Sequence, residues 1–231
     1  MWERQLEVFG QFGQVIAPDL PGFGTSGRQT DPSIPQMAAA VVQLLDELSV
    51  REPVFIGGVS MGGYVVFEFI RQFPKRVKAV GLFSTRSGED TDSIREGRLK
   101  NAQRIRENGL GAFSKAMLPK LLGATTLNER PEVIQQVTEI TLQNNPEGVA
   151  DALLAMARRR DSTDLLDVLS RIPTLVVAGE EDPFVPKDET NQMHAQIAGA
   201  QLCYLPRAGH LVNLEAPVEF DQVVGQFLQK L

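Results

Sequence analysis

One stretch constrains the fold of this chain more than any other. From Val54 to Phe69 it reads VFIGGVSMGGYVVFEF, an apolar run that breaks on four glycines around a single serine and resumes at once. Val54 to Gly57 has the length and β-branched or aromatic character of a strand. Tyr64 to Phe73 is apolar on most sides, as a buried helix is, and Pro74 ends it. A strand that turns within a few residues into a buried helix is half of a βαβ unit. Similar short runs of Val, Ile, Leu and Phe recur at Val15 to Ala17, Ala79 to Phe83, Thr174 to Ala178 and Gln201 to Leu205. Strands this short and this continuously apolar are covered on both faces. Gln36 to Leu48 places Met37, Val41, Leu44, Leu45 and Leu48 at helical spacing, and Val218 to Leu231 carries one apolar stripe suited to a closing helix. The expected class is α/β, a mostly parallel sheet flanked by helices.

The strand spacing fails once. Between Ser84 and Thr174 lie about ninety residues, several times the dozen or so that a crossover needs. The interval is helical throughout: Ser93 to Glu107, Ala112 to Leu122, Pro131 to Leu142 and Pro146 to Ala157, the last two opening on proline. It reads as a helical cap of about four helices over 86–161, inserted into a core made of 1–85 and 162–231. A chain of 231 residues, 42% hydrophobic, suits one domain with such an insertion better than two independent domains.

Composition excludes several classes. A net charge of −6, with no basic cluster beyond Arg158 to Arg160, leaves no nucleic-acid footprint. One cysteine, Cys203, rules out an intramolecular disulfide framework and a structural zinc cluster, and fits a reducing compartment. The N-terminus lacks the basic and apolar regions of a secretory signal, and no run approaches 18 apolar residues. The expectation is a cytoplasmic protein with no membrane partner.

Chemistry concentrates at Ser60. Gly58, Val59, Ser60, Met61 and Gly62 form G-x-S-x-G between strand and helix, the context of a nucleophile elbow. A serine there is strained, and side chains at positions 58 and 62 are expected to collide with the helix and the neighbouring strand. The backbone N–H of Met61, first in the helix, would face a developing oxyanion. Serine is a weak nucleophile at neutral pH and needs a base and a group to orient it. Of the two histidines, His210 lies in a loop just after the last strand, where a base can overhang the sheet, whereas His194 falls in a helical segment, Asp188 to Ile197, and reads as a surface residue. The acid should lie between serine and histidine, in a loop after a strand. Asp182 meets this, with Pro183 and Pro186 to stiffen its turn, and Glu180 and Glu181 are its rivals. A formal G-x-G-x-x-G at Gly22, Gly24 and Gly27 fails as a dinucleotide site, because RQTDPSIP follows it and cannot start a helix at once.

Ser60, Asp182 and His210, carried in order by G-V-S-M-G-G, G-E-E-D and A-G-H-L-V-N-L-E-A-P, with P-D-L-P-G-F-G-T-S-G upstream, resemble the α/β-hydrolase superfamily over nearly the whole chain. Within it the sequence is similar to small capped carboxylesterases and 3-oxoadipate enol-lactonase-like enzymes. The resemblance implies the α/β-hydrolase fold and a Ser-His-Asp hydrolase needing no metal and no cofactor, with its site between sheet and cap. It also implies that the D-L-P-G-F-G-T-S-G loop lies at the site's mouth, so that Phe23 lines a pocket. Phe184, Leu211 and Met61 are the other expected lining residues. The serine speaks against dehalogenase or epoxide hydrolase chemistry, for which relatives use aspartate. The expected substrate is a small carboxylic ester or lactone. The same triad used for perhydrolysis or C–C bond hydrolysis, and a non-catalytic binding or scaffold protein with a degenerate site, are the alternatives.

One departure from that pattern matters. Relatives carry further strands before the segment resembling MWERQLEVF, and a His-Gly loop that supplies a second oxyanion N–H. No His-Gly pair occurs here, so Met61 is the one donor assigned. The expectation is either a start upstream of this sequence or a reorganised sheet whose exposed edges favour a homo-oligomer.

Overall fold

Four of the five apolar runs pair as strands in the computed structural model, which describes residues 1–231. They are β1 (Val54–Val59), β2 (Val77–Phe83), β3 (Thr174–Gly179) and β4 (Gln201–Leu205), all parallel and adjacent in that order. The run Val15 to Ala17 does not form a strand, contrary to its composition. No backbone hydrogen bond pairs it with another segment, and β propensity without a ladder partner does not make a strand. Ile16 packs instead against the apolar cluster around Met37 and Phe69.

Alternation along the strands sends side chains to two covered faces. Ala79, Phe83, Leu175 and Val177 meet Phe220, Val224 and Phe227 of the last helix, whereas Val80, Leu82 and Val176 meet Val66, Phe67 and Ile70 of the helix after β1. Every residue of β3 is buried, which is why its sequence is an unbroken apolar run. Each fully buried Phe or Leu here contributes about 1.5–3 kcal/mol.

The helices named α1 to α4 are Glu3–Phe9, Ile34–Glu47, Met61–Gln72 and Asp92–Asn108. They are followed by α5 (Leu110–Leu121), α6 (Ala124–Glu129), α7 (Pro131–Leu142) and α8 (Pro146–Ala157). After these come α9 (Leu166–Leu169), α10 (Lys187–Ala195), α11 (Val212–Glu215) and α12 (Pro217–Leu228). Five helices, α4 to α8, not four, lie within 86–161. The extra one is α6, a short turn of helix too brief for periodicity to register. α2 starts two residues before the predicted Gln36, because the Ser33 hydroxyl accepts the Gln36 N–H and Pro35 sits in the first turn. α1 was not expected from the sequence. Arg4 and Gln5 anchor it to Asp221 of α12, at 2.6 and 2.9 Å, and Trp2 packs on Phe83 and Phe220. No helix is long and apolar enough to cross a membrane.

Candidate active site

The elbow begins with backbone conformation. Ser60 has φ 54° and ψ −113°, a region that costs a non-glycine residue about 1–3 kcal/mol and persists only where its surroundings hold it. Three bonds do so: the Ser60 N–H donates to Phe83 O at 2.9 Å, and Ser60 O accepts from the Thr85 hydroxyl and the Gly63 N–H, each at 2.9 Å. Since Thr85 follows β2, the turn is locked to the neighbouring strand end. The Met61 N–H, first of α3, has no carbonyl to bond within its helix.

The two flanking glycines do not share one reason. A Cβ at Gly58 would be driven into the backbone carbonyl of Gly62, while at Gly62 itself nothing lies within 4 Å. The expectation that both positions exclude a side chain therefore holds at 58 and fails at 62. The second tight glycine is Gly63, whose Cβ would meet Thr85. Gly58→Ala is accordingly expected to cost about 2 kcal/mol or more. Gly62→Ala, at the second position of α3 with open space around it, is expected to be neutral or to gain up to about 1 kcal/mol. Thermal midpoints of the two variants check this, and equal losses would contradict it.

Asp182 and His210 follow β3 and β4, so with Ser60 after β1 all three occupy the C-terminal end of one parallel sheet, where ligands bind in such folds. His210 Nδ1 lies 2.9 Å from Asp182 Oδ2 and 3.2 Å from Oδ1, with both side chains 1% exposed. Asp182 Oδ1 also accepts the Phe184 and Val185 N–H groups at 2.8 and 3.0 Å, which closes the turn that Pro183 starts. The rivals are engaged elsewhere. Glu181 takes the Thr125 hydroxyl and N–H, at 2.6 and 2.7 Å, and the hydroxyl bond holds its carboxyl below the usual carboxylate range. Glu180 lies 3.8 Å from Lys187. His194 is in α10, with Nε2 3.0 Å from Ala200 O. With Nδ1 turned to Asp182, His210 Nε2 is buried without a partner, and Ser60 Oγ makes no hydrogen bond. No hydrogen bond joins these two atoms.

Four expected lining residues divide among three environments. Phe184 lies tilted at 55° against the His210 ring, centroids 5.0 Å apart, and Arg86 clamps it with a 2.6 Å bond to its carbonyl. Phe23 and Met61 both pack against the apolar cluster that includes Tyr64 and Val65. Leu211 turns into packing with Leu118 and Leu122. The Phe23 loop is closed by Asp19, which accepts the Thr25 N–H at 3.0 Å, and Gly22 abuts Gly148 of α8.

Sequence reasoning missed what fixes the histidine loop. Glu215 is 0% exposed, and its carboxylate accepts the Leu211 N–H at 3.0 Å and the Gly123 N–H at 2.8 Å. The His210 N–H donates to Leu121 O at 3.0 Å, and Arg130 bonds the Glu215 carbonyl. One buried carboxylate thus ties the loop after β4 to the turn between α5 and α6. The only sequence signal was an acid amid the apolar L-V-N-L-E-A-P run. Elsewhere, no group of three or more His, Cys, Asp or Glu converges as a metal site requires.

Comparisons with known proteins identify the fold family. A family described as "alpha/beta hydrolase fold" matches residues 8–217. A malate-bound structure of a thermophilic esterase from Thermogutta terrifontis superposes with a TM-score of 0.95 at 38% identity, covering 99% of this chain and 84% of that one. An enol-lactonase from Burkholderia xenovorans LB400 has the same fold, with a TM-score of 0.88 at 24% identity over 99% of this chain and 85% of that one. The dihydrolipoyllysine-residue acetyltransferase component of an acetoin cleaving system from Pseudomonas putida is 30% identical over 224 residues, or 94% of this chain. The chain spans 56% of that protein's length.

Proposed function

The chain belongs to the α/β-hydrolase fold family, with esterase and lactonase relatives, and from that premise we propose that it is a serine hydrolase of small carboxylic esters or lactones. The observation that carries this reading is the strained Ser60 at the same sheet end as a buried Asp182–His210 pair. Strain of that kind is retained where mechanism uses it. In the proposed reaction His210 Nε2 takes the Ser60 proton as Oγ bonds to the substrate carbonyl carbon. The C–O bond to the leaving alkoxide breaks and the same proton passes to that oxygen. A water, deprotonated by Nε2, then cleaves the Ser60 ester, and the proton returns to Oγ. Asp182 holds the imidazole by Nδ1 and stabilises the imidazolium. The Met61 N–H receives the oxyanion; one such donor is commonly worth about 100- to 1,000-fold in rate.

Phe184 against His210, with Phe23 and Met61, are the proposed contacts for the acyl or alcohol portion. A second proposal concerns assembly: β1 is paired on one side only and its Gly57 is exposed, an edge open to strand addition, and light scattering that finds monomer alone would count against it. The test of the hydrolase reading is labelling of the folded protein with a fluorophosphonate. A single adduct on Ser60, lost in His210→Gln, supports it. No adduct would favour the binding-protein alternative, for which the unbonded Ser60 Oγ is the relevant observation.

A further inference from the structure

We propose that the cleft where α8 rejoins the core is a second binding site, for a small oxyanion bearing a carboxylate or phosphoryl group. A cavity of about 350 Å³ lies there between α2, α3 and the residues after α8, and none of Ser60, Asp182 and His210 lines it. Its wall includes Tyr64, Ser87 and Ser162, which are 4%, 7% and 6% exposed. None of these three hydroxyls forms a hydrogen bond within the protein, and the Nε of Arg159, which lines the same cavity, is buried without a partner.

Water alone would satisfy the hydroxyls but not the charge beneath them. Asp90 is shared by two guanidiniums, Arg98 at 2.6 and 3.2 Å and Arg159 at 2.9 Å. The three side chains are 1%, 9% and 4% exposed, so one buried carboxylate faces two buried cations. Arg159 also lines the cavity, its guanidinium 4.1 Å from the centre of the Tyr64 ring. The remaining charges on the wall are matched: Glu68 pairs with Arg160 at 2.7 and 2.8 Å, and Arg158 with Asp31 at 2.7 Å. Ser33 and Ile34 bring the N-terminus of the 14-residue α2 to the same cavity, adding the positive end of its dipole. Hydroxyl donors, a helix N-terminus and an unbalanced buried guanidinium together select an anion with several acceptor oxygens.

The walls come from both sides of the junction, since α2 and α3 lie before the helical insertion and Ala155 to Ser162 lead out of it. A bound oxyanion therefore bridges the insertion to the sheet layer and stabilises that contact by mass action. The test is isothermal calorimetry and thermal unfolding of the full chain with inorganic phosphate and, separately, succinate, against sodium chloride at matched ionic strength. Saturable binding of either anion is expected, with a midpoint rise of roughly 5 °C at a hundredfold excess over Kd. Tyr64→Phe with Ser162→Ala removes two donors that make no internal bond, so the fold should persist while affinity falls at least about tenfold. Binding of one anion alone supports the site and identifies the head group. No saturable binding, or equal affinity in the double variant, would overturn it. Because the readout is binding, the outcome does not depend on whether Ser60 is a nucleophile.

Discussion

Ser60→Ala is expected to remove protein-dependent hydrolysis of p-nitrophenyl acetate and butyrate, a fall of about 10⁴-fold or more in kcat. The substitution deletes one oxygen. Ser60 Oγ makes no hydrogen bond in the protein, whereas the bonds that hold the turn run through its N–H and its carbonyl, to Phe83, Thr85 and Gly63, and alanine keeps them all. The circular dichroism and thermal midpoint should therefore stay close to those of the parent, and the loss of turnover cannot be assigned to unfolding. Light scattering on the same sample shows whether both proteins have one assembly state. Equal rates in parent and variant, both at the level of buffer, would mean that serine and histidine are present but not assembled, and would sink the hydrolase reading.

What the sequence disclosed followed from local chemistry. The bounds of β4 and the helix start at Pro146 could be read because short apolar and aromatic runs and N-terminal prolines act within a few residues. Asp182 stood out from Glu180 and Glu181 because a short carboxylate beside Pro183 closes its own turn, and Oδ1 does accept the Phe184 and Val185 N–H groups. What stayed hidden depends on neighbours remote in the chain. Val15 to Ala17 has strand composition and no partner. Gly62 has motif spacing but open space, while the real constraint at Gly63 comes from Thr85, twenty-odd residues on. Glu215 serves two backbone N–H groups, one of them 92 positions away. Removing it would leave the buried Gly123 N–H and the part-buried Leu211 N–H unpaired, at about 1–3 kcal/mol for the buried one. No periodicity encodes such a network.

Asp182→Asn should separate the acid's two tasks. Oδ1 shapes the 182–185 turn and Oδ2 meets His210 Nδ1 at 2.9 Å. Asparagine keeps a carbonyl oxygen for the turn but presents an NH₂ group to the imidazole. Nδ1 must then accept instead of donate, which moves the ring proton to Nε2, the atom that receives the Ser60 proton in the proposed reaction. A kcat loss of about 10⁴-fold is expected, with KM and the thermal midpoint little changed, as when the same exchange installs the wrong tautomer in other serine hydrolases. Asp182→Ala, which also abolishes the turn, should lose stability as well as rate. Glu181→Gln is the matched control. Its carboxylate is committed to Thr125, so its kcat should stay within about threefold of the parent even if the tie to α6 weakens. A large rate loss in Glu181→Gln with Asp182→Asn still active would transfer the acid's role to the neighbouring residue. The geometry weighs against that result, because one carboxylate cannot hold both Thr125 and the buried imidazole at hydrogen-bonding distance, and the oxygen 2.9 Å from Nδ1 belongs to Asp182.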